Sequence, residues 1–273
     1  MFHFFKSSKK DRKSVSLVLS GGGARGLGHI GVLEVLEEYD FKIHSISGSS
    51  MGALVGCLYA QGHLADFKAW ILQLNRFQVV KLLDFTLSRR GIIKGDRIFS
   101  KLNQLFPLGD LENLQIPVNV IATRLFANQT LCLDHGDAYQ AIRASMSNPS
   151  IFAPIELENE VLVDGGIMDN IPIKYAKRHK KDLLIAVDVN AFLPYEFERP
   201  KLNKTTYFNV MNQTISLLIE SNARQSIAKY PPDLFIQLSR KSCDIFDFFA
   251  AERQIAYGRS CAEMAINRFL KEA

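Results

Sequence analysis

Two glycine-rich turns stand close to the start of this chain, and each joins an apolar strand to a helical pattern. The apolar residues 15–19 lead into residues 21–26 (GGGARG), after which apolar residues recur at helical spacing. A second apolar run, residues 41–47, leads into residues 48–52 (GSSMG) and then into the apolar stretch 53–60. Strand, turn and helix therefore occur twice in succession, an order typical of a parallel α/β sheet.

The rest of the chain continues the alternation of strands and helices. Strands are predicted at residues 117–123, 161–163 and 183–189, and a helix at residues 137–146. Residues 63–110 are predicted to form a mainly helical cap over a site. The strand at 183–189 is the last one expected, and the chain from 203 onward is predicted to be mostly helical. The sequence contains no internal repeat and no flexible linker, which favours one domain with a helical C-terminal subregion.

The formal net charge of +5, from 33 basic and 28 acidic side chains, is concentrated in the first thirteen residues. Five basic side chains against Asp11 give residues 1–13 a charge of +4, so the remaining chain is nearly neutral. A neutral body argues against a nucleic-acid partner, which requires a basic folded face. We expect the tail to be solvated and disordered. The alternative is a weak anchor on an anionic membrane, with Phe2, Phe4 and Phe5 at the headgroups.

Cysteine spacing and hydropathy argue against several other classes of protein. The cysteines at 57, 132, 243 and 261 show no CxxC pair, which predicts neither a metal site nor a disulfide framework. No run approaches the roughly 18 apolar residues of a membrane span. We therefore expect a cytoplasmic protein with reduced cysteines, peripheral to the inner face of the membrane if the tail binds lipid.

The first glycine turn contains a pattern that also occurs in dinucleotide-binding proteins. Gly21, Gly23 and Gly26 satisfy G-x-G-x-x-G between a strand and a helix. The acidic residue that would hold a ribose is missing near residues 47–48, and the phosphate-loop pattern G-x-x-x-x-G-K-[ST] is absent. Exposed N–H groups at a helix start stabilise any negative charge, including a transient oxyanion. The simpler alternative is a tight turn that needs glycine.

The second glycine turn has the form of a nucleophile elbow. Gly48 and Gly52 flank Ser49, Ser50 and Met51 in the pattern G-x-S-x-G, at a point where a strand turns into a helix. That geometry projects the central Ser50 away from the sheet and places the Met51 N–H beside an intermediate formed on it. The alternative is that Ser50 only caps the helix.

A serine nucleophile needs a proton acceptor, and the histidines are poorly placed to supply it. Beyond Asp164 only His179 remains, within a basic cluster that is most simply a solvated helix face. Asp164, followed by Gly165 and Gly166, ends an apolar strand, which predicts its carboxylate at the carboxyl edge of the sheet near Ser50. The alternative is an aspartate that only caps its turn.

Taken in this order and spacing, the three glycine motifs resemble those of the patatin-like phospholipases of bacterial type. The likeness extends to residues 141–146 (AIRASM), 149–154 and 164–172 (DGGIMDNIP), and covers about residues 15–190. The resemblance implies a three-layer α/β/α fold with a mainly parallel central sheet and a Ser–Asp dyad. Ser50 would be the nucleophile and Asp164 the general base, with Gly22, Gly23 and Arg25 in the oxyanion loop and no metal or cofactor.

The resemblance also implies an activity and a domain arrangement. The activity is hydrolysis of a carboxylic ester in a lipid or phospholipid through an acyl-enzyme. The expected parts are a tail (1–14), a catalytic domain (15–195) and the helical C-terminal subregion (196–273). Arg124 stands where many members carry Asp, which leaves the dyad intact. A non-catalytic lipid- or phosphate-binding module of the same fold is the alternative function.

Overall fold

The structure, a computed structural model, describes residues 14–82, 85–88, 91–93, 95–149, 152–193 and 206–272. Residues 1–13, expected to be a disordered tail or, as the alternative, a weak membrane anchor, lie outside the described residues. The strands are β1 (Ser14–Leu19), β2 (Lys42–Ser49), β3 (Phe85–Ser88), β4 (Gly91–Ile93), β5 (Val118–Arg124), β6 (Gln129–Leu133), β7 (Ile155–Leu157), β8 (Glu160–Asp164), β9 (Leu183–Ala191) and β10 (Leu234–Ser239). The helices are α1 (Gly28–Glu38), α2 (Met51–Ala60), α3 (Leu64–Leu72), α4 (Arg76–Leu82), α5 (Asp96–Leu105), α6 (Ala138–Ser145), α7 (Gly166–Asp169), α8 (Tyr207–Lys229) and α9 (Ala251–Glu272).

The central sheet is mainly parallel, as the sequence predicts. Its strands follow the order β10-β9-β1-β2-β5-β8-β7, and β6 pairs with β5 outside this path. Neighbouring strands from β10 to β5 are parallel, whereas β6, β7 and β8 pair in antiparallel fashion. The crossovers of parallel strands place helices on the sheet faces, and this produces the α/β/α layers.

Strand β1 shows how both faces of the sheet are buried. Leu17 and Leu19 belong to the large core that includes side chains of α1, α2 and α9. Val18 points to the opposite face, where it joins a smaller core with Ile173 and with Ala223 of α8. Successive side chains of a strand alternate between faces, so a continuous apolar run is required where helices cover both sides.

The C-terminal region is mostly helical, as predicted, but it also contains a strand. Strand β10 extends the sheet by pairing in parallel with β9, so residues 183–189 do not form the last strand. The cap predicted at 63–110 likewise contains the hairpin β3–β4. Short apolar runs such as residues 234–239 fit a strand or a buried helix equally well until their partners are known. No helix in the described ranges has the length and apolar character needed to cross a membrane.

Helices α1 and α9 approach each other closely at glycines. A methyl group on Gly258 would lie 2.0 Å from the carbonyl oxygen of Gly28, and one on Gly31 would lie 2.1 Å from that of Ile255. The obstacles are backbone atoms, which cannot rotate away. The C-terminal helix therefore packs against the first helix through contacts that only glycine permits.

We expect Gly258→Ala to lower the free energy of unfolding by about 1–3 kcal/mol, because the added methyl group forces the two helices apart. Urea denaturation measures this change. Ser260→Ala, at an exposed position of the same helix, is the matched control and should leave the stability nearly unchanged. A Gly258→Ala protein as stable as the wild type would contradict this account of the helix contact.

Candidate active site

Two strands that run in opposite directions meet end to end on one edge of β5. Strand β6 pairs with residues 120–124 of β5, β2 pairs with residues 118–121, and β8 pairs with residues 122–124. Because a strand has only two edges, β2 and β8 must share the edge that β6 does not occupy. The last residues of β2 and β8 therefore converge. This corrects the reason given from sequence: Asp164 reaches Ser50 from an antiparallel strand, not as a neighbour at the carboxyl edge of parallel strands.

Ser50 stands on a strained turn between β2 and α2. Its backbone has φ 51° and ψ −122°, a conformation that costs a non-glycine residue on the order of 1–3 kcal/mol. The turn is crowded, since a methyl group on Gly52 would lie 2.3 Å from the carbonyl oxygen of Leu19. The Ser50 hydroxyl makes no capping bond to α2 and instead donates to Oδ2 of Asp164 at 2.9 Å. The capping alternative is therefore wrong.

The turn at Ser50 is tied to the sheet by a residue that the sequence analysis did not single out. The backbone N–H of Ser50 donates to Oγ of Ser145 at 2.7 Å, and the Ser145 hydroxyl donates to the carbonyl oxygen of Ile121 at 2.5 Å. Ser145 is fully buried at the end of α6. Its position in the AIRASM segment was the available signal, but nothing local to that segment indicates which backbone groups it joins.

Asp164 is held by its own turn and faces Ser50 with its other oxygen. The N–H of Gly166 donates to Oδ1 at 2.7 Å, which leaves Oδ2 for the Ser50 hydroxyl. The residue is 5% exposed. Burial raises the pKa of this carboxyl to about 6, although both hydrogen bonds act to lower it. Asp164 thus caps its turn and is also a buried carboxylate that accepts a proton more readily than one in water.

The first glycine turn presents unpaired donors to the same place. The N–H groups at the two ends of the turn are already hydrogen-bonded. That of Gly21 donates to the carbonyl oxygen of Asn170 at 3.3 Å, and that of Ala24 donates to the carbonyl oxygen of Ile245 at 2.9 Å. Within the part of the chain that the structure describes, the N–H groups of Gly22 and Gly23 make no hydrogen bond, and both residues line the cleft beside Ser50.

The Met51 N–H, which sequence reasoning places beside Ser50, makes no bond to any described residue either. Gly26 lies against the Met51 side chain, which a methyl group at Gly26 would approach to 2.2 Å. The sequence prediction of an oxyanion hole from Gly22, Gly23 and Met51 is compatible with this arrangement of donors.

Arg25 lines the cleft and links three segments. Its Nε donates to the carbonyl oxygen of Cys243 at 2.9 Å, and an Nη donates to Oδ1 of Asn190. Burial lowers the pKa of its guanidinium. The two bonds fasten the glycine turn to the end of β9 and to the segment after β10. Direct contact of Arg25 with an oxyanion stays a prediction.

Histidine is absent from the described residues that line the cleft. The ring of His179 stacks on that of His44, with the ring centres 3.9 Å apart. His44 is in turn hydrogen-bonded to Asp182, which also accepts a hydrogen bond from Ser16 near the start of β1. His29 is buried, with its Nε2 2.9 Å from the carbonyl oxygen of Ser20, and burial lowers its pKa to about 4. The arrangement at Ser50 is a serine–aspartate pair.

Two cavities adjoin the pair. The first, a cleft of about 470 Å³, is lined by Ser50, Asp164, the glycine turn and one face of α8. The second, of about 70 Å³, is lined, among the described residues, by apolar and aromatic side chains, many of them from α3, α4 and α5. Met146, Phe152 and Phe248 line both cavities. The predicted cap at 63–110 therefore supplies a wall of the apolar cavity.

Comparison with known proteins identifies a family for this chain. Residues 17–177 match the family model described as patatin-like phospholipase. An uncharacterized NTE family protein of Mycobacterium tuberculosis is 30% identical over 93% of this chain and 92% of its own length. The chain belongs to the patatin-like phospholipase family. The family resemblance recognised in the motifs is thereby confirmed.

Two further proteins, a fungal relative and a solved structure, are similar to this chain. The lysophospholipase NTE1 of Coccidioides immitis is 33% identical over 66% of this chain, a match that spans 12% of the fungal protein. VipD of Legionella pneumophila, a solved structure, matches with a TM-score of 0.52 and 16% identity, covering 95% of this chain and 67% of VipD. The second match supports the patatin fold alone.

The raised pKa of Asp164 predicts a pH-dependent cost to stability. The unfolded carboxyl ionises near pH 4, whereas the folded one holds its proton up to about pH 6. Between these values the unfolded state releases its proton first, so stability falls as pH rises. We expect Asp164→Asn to be more stable than the wild type at pH 8, by on the order of 2 kcal/mol, and to lose this advantage at pH 4.

Chemical denaturation at the two pH values measures the difference, and comparison of the two proteins isolates this carboxyl from Asp169 and Asp188, whose pKa values burial raises to about 7 and about 6. Asp66→Asn, at an exposed position on α3, controls for the substitution itself. A stability difference that is the same at pH 4 and pH 8 would contradict the buried-carboxyl account.

Proposed function

We propose that this chain is a serine acyl hydrolase that cleaves the carboxylic ester of a lipid through an acyl-enzyme on Ser50. Membership of the patatin-like phospholipase family and the fungal relatives named lysophospholipase support lipid hydrolase activity. The observation that carries the assignment of residues is the 2.9 Å hydrogen bond from the strained Ser50 to the buried Asp164.

In the first half-reaction Asp164 acts as general base. As the Ser50 Oγ attacks the ester carbonyl carbon, its proton moves to Oδ2 of Asp164, already its hydrogen-bond acceptor. Negative charge gathers on the carbonyl oxygen, where the free N–H groups of Gly22, Gly23 and Met51 are available to stabilise it. A carboxyl with a pKa of about 6 is ionised at neutral pH yet holds a proton better than an exposed carboxylate.

Collapse of this intermediate breaks the bond from the carbonyl carbon to the alcohol oxygen. The departing oxygen takes the proton from Asp164, and the acyl group remains esterified to Ser50. In the second half-reaction Asp164 accepts a proton from a water molecule that attacks the acyl carbon. When Ser50 leaves it recovers its proton from Asp164, and the products are a free fatty acid and the alcohol.

The two cavities suggest how a lipid ester is divided. The described side chains that line the apolar cavity are all non-polar, and the cavity adjoins the cleft along Met146, Phe152 and Phe248, so it suits the acyl chain. The larger cleft carries Arg25, Asn190 and Arg240 beside apolar groups and suits the alcohol portion of the substrate. The strain at Ser50 and the cost of burying Asp164 are more easily explained by catalysis than by a module that only binds lipid.

Ser50→Ala should abolish labelling by a fluorophosphonate probe and lower hydrolysis of lysophospholipid by at least about a thousandfold, because the attacking oxygen is removed. Gel fluorescence and fatty-acid release measure the two effects. Ser49→Ala is the matched control, since the Ser49 hydroxyl is buried without a partner among the described residues and should be dispensable. Persistent labelling of the Ser50→Ala protein would overturn the assignment of Ser50 as the nucleophile. Lipid binding by the wild type without cleavage of any ester would favour the alternative of a non-catalytic binding module.

Leu74→Trp should shift preference from decanoate toward butyrate esters, because the larger side chain fills the apolar cavity that Leu74 lines. We expect kcat/KM for the decanoate ester to fall at least about tenfold, the loss of a few buried methylenes, with the butyrate ester little affected. Leu72→Trp, two residues earlier at the exposed end of α3, is the control. Equal chain-length preference in both variants would show that the acyl chain lies elsewhere.

A further inference from the structure

One wall of the apolar cavity is the short helix α4, which carries apolar side chains on both its inner and its outer face. The inner side chains of α4, Val79 and Leu82, line the cavity. Its outer side chains Phe77 and Val80 face solvent, Phe77 with 76% of its surface exposed. A helix at a protein surface normally turns a polar face to water, so two exposed apolar side chains beside the exposed Arg76, Gln78 and Lys81 are unusual.

A second exposed aromatic segment adjoins α4. The guanidinium of Arg76, at the start of α4, lies 5.7 Å from the ring centre of Phe249, which is itself 46% exposed. Phe246 is also exposed and lines the cleft that contains Ser50. Arg76 thus links α4 to the aromatic segment at the mouth of the cleft.

Helix α8, which also lines the cleft, carries a similar surface. Gln213 of this helix lines the cleft. Val210 and Leu217, three residues before and four after it, are its neighbours on the helix surface, and both are exposed. The sequence from 205 to 219 contains no charged residue at all. A helical stretch of this length that is partly exposed to water without a single charge is unusual for a solvated face.

We infer that these six side chains, Phe77, Val80, Val210, Leu217, Phe246 and Phe249, form an apolar rim through which the chain docks on a lipid bilayer. The inference rests on the proposed function, since it explains how an ester with an apolar chain reaches Ser50 without crossing water. A protein seated across the rim would close the cleft, whereas a bilayer delivers substrate through it. Helix α4 contributes Arg76 and Lys81 and no acidic residue, so the α4 part of the rim suits anionic headgroups, whereas Asp244 and Asp247 lie beside Phe246 in another part.

Vesicle binding tests the rim separately from catalysis. The full chain carrying Ser50→Ala is mixed with vesicles of phosphatidylglycerol and phosphatidylcholine, so that no lipid is cleaved, and the bound fraction is measured by sedimentation. We expect Phe77→Ser with Phe249→Ser to weaken binding at least about tenfold, because two large apolar side chains no longer enter the interface. Met264→Ser is the matched control, since Met264 is 63% exposed beside Leu234, where β10 begins.

With Ser50 intact, the same double variant should hydrolyse a soluble butyrate ester within about twofold of the wild-type rate and lose at least about tenfold on vesicle-borne substrate. The double variant Val210→Ser with Leu217→Ser repeats the same measurements with the rim residues of α8. Unchanged vesicle binding in both double variants overturns the proposal that the rim docks on a bilayer. So does a wild-type dimer that either variant converts to monomer while vesicle binding persists, because the rim would then join two copies. A wild type that cleaves no ester but binds vesicles through the rim refutes the proposed function alone.

Discussion

The meeting of β2 and β8 on a single edge of β5 is the constraint on which the site depends. Both strands end where Ile121 and Ala122 of β5 adjoin, so the residues that follow them have no room to diverge. A methyl group on Gly165 would lie only 2.0 Å from the carbonyl oxygen of Ile121. The Ser50 hydroxyl and the Asp164 carboxylate are therefore positioned by sheet register. Sites built on regular elements hold their geometry better than sites carried by loops.

This arrangement concentrates unfavourable energies at one point of the fold. Ser50 occupies a backbone conformation that its side chain disfavours, and Asp164 carries a carboxyl whose ionisation burial opposes. Each effect is worth on the order of 1–3 kcal/mol, a large share of a typical folding free energy. The surrounding sheet, buried on both faces, supplies the stability that offsets these costs. Such local instability is expected where a group must be ready to react.

Sequence reasoning located the Ser50 and Asp164 turns because their signals are local. A glycine-flanked serine between strand and helix, and an aspartate before two glycines, are visible within a few residues. The direction of β8, the pairing of β10 and the bridge made by Ser145 were beyond reach. Each depends on which distant segment lies alongside, and an apolar run of five or six residues carries no record of its partner. The antiparallel approach of β8 emerges only from the pairing of β5 with three strands.

If the chain binds a lipid surface, the basic tail and the apolar rim would contribute in different ways. Attraction between the charges of residues 1–13 and anionic lipid acts at a distance but is screened beyond about 10 Å at 0.1 M salt. Burial of the apolar rim acts only at contact and does not depend on screening. Because Phe246 of the proposed rim lines the cleft while Val79 and Leu82 on the inner face of α4 line the apolar cavity, contact through the rim would also fix the orientation of the site. Charge alone could bring the chain to a membrane but would leave Ser50 facing any direction.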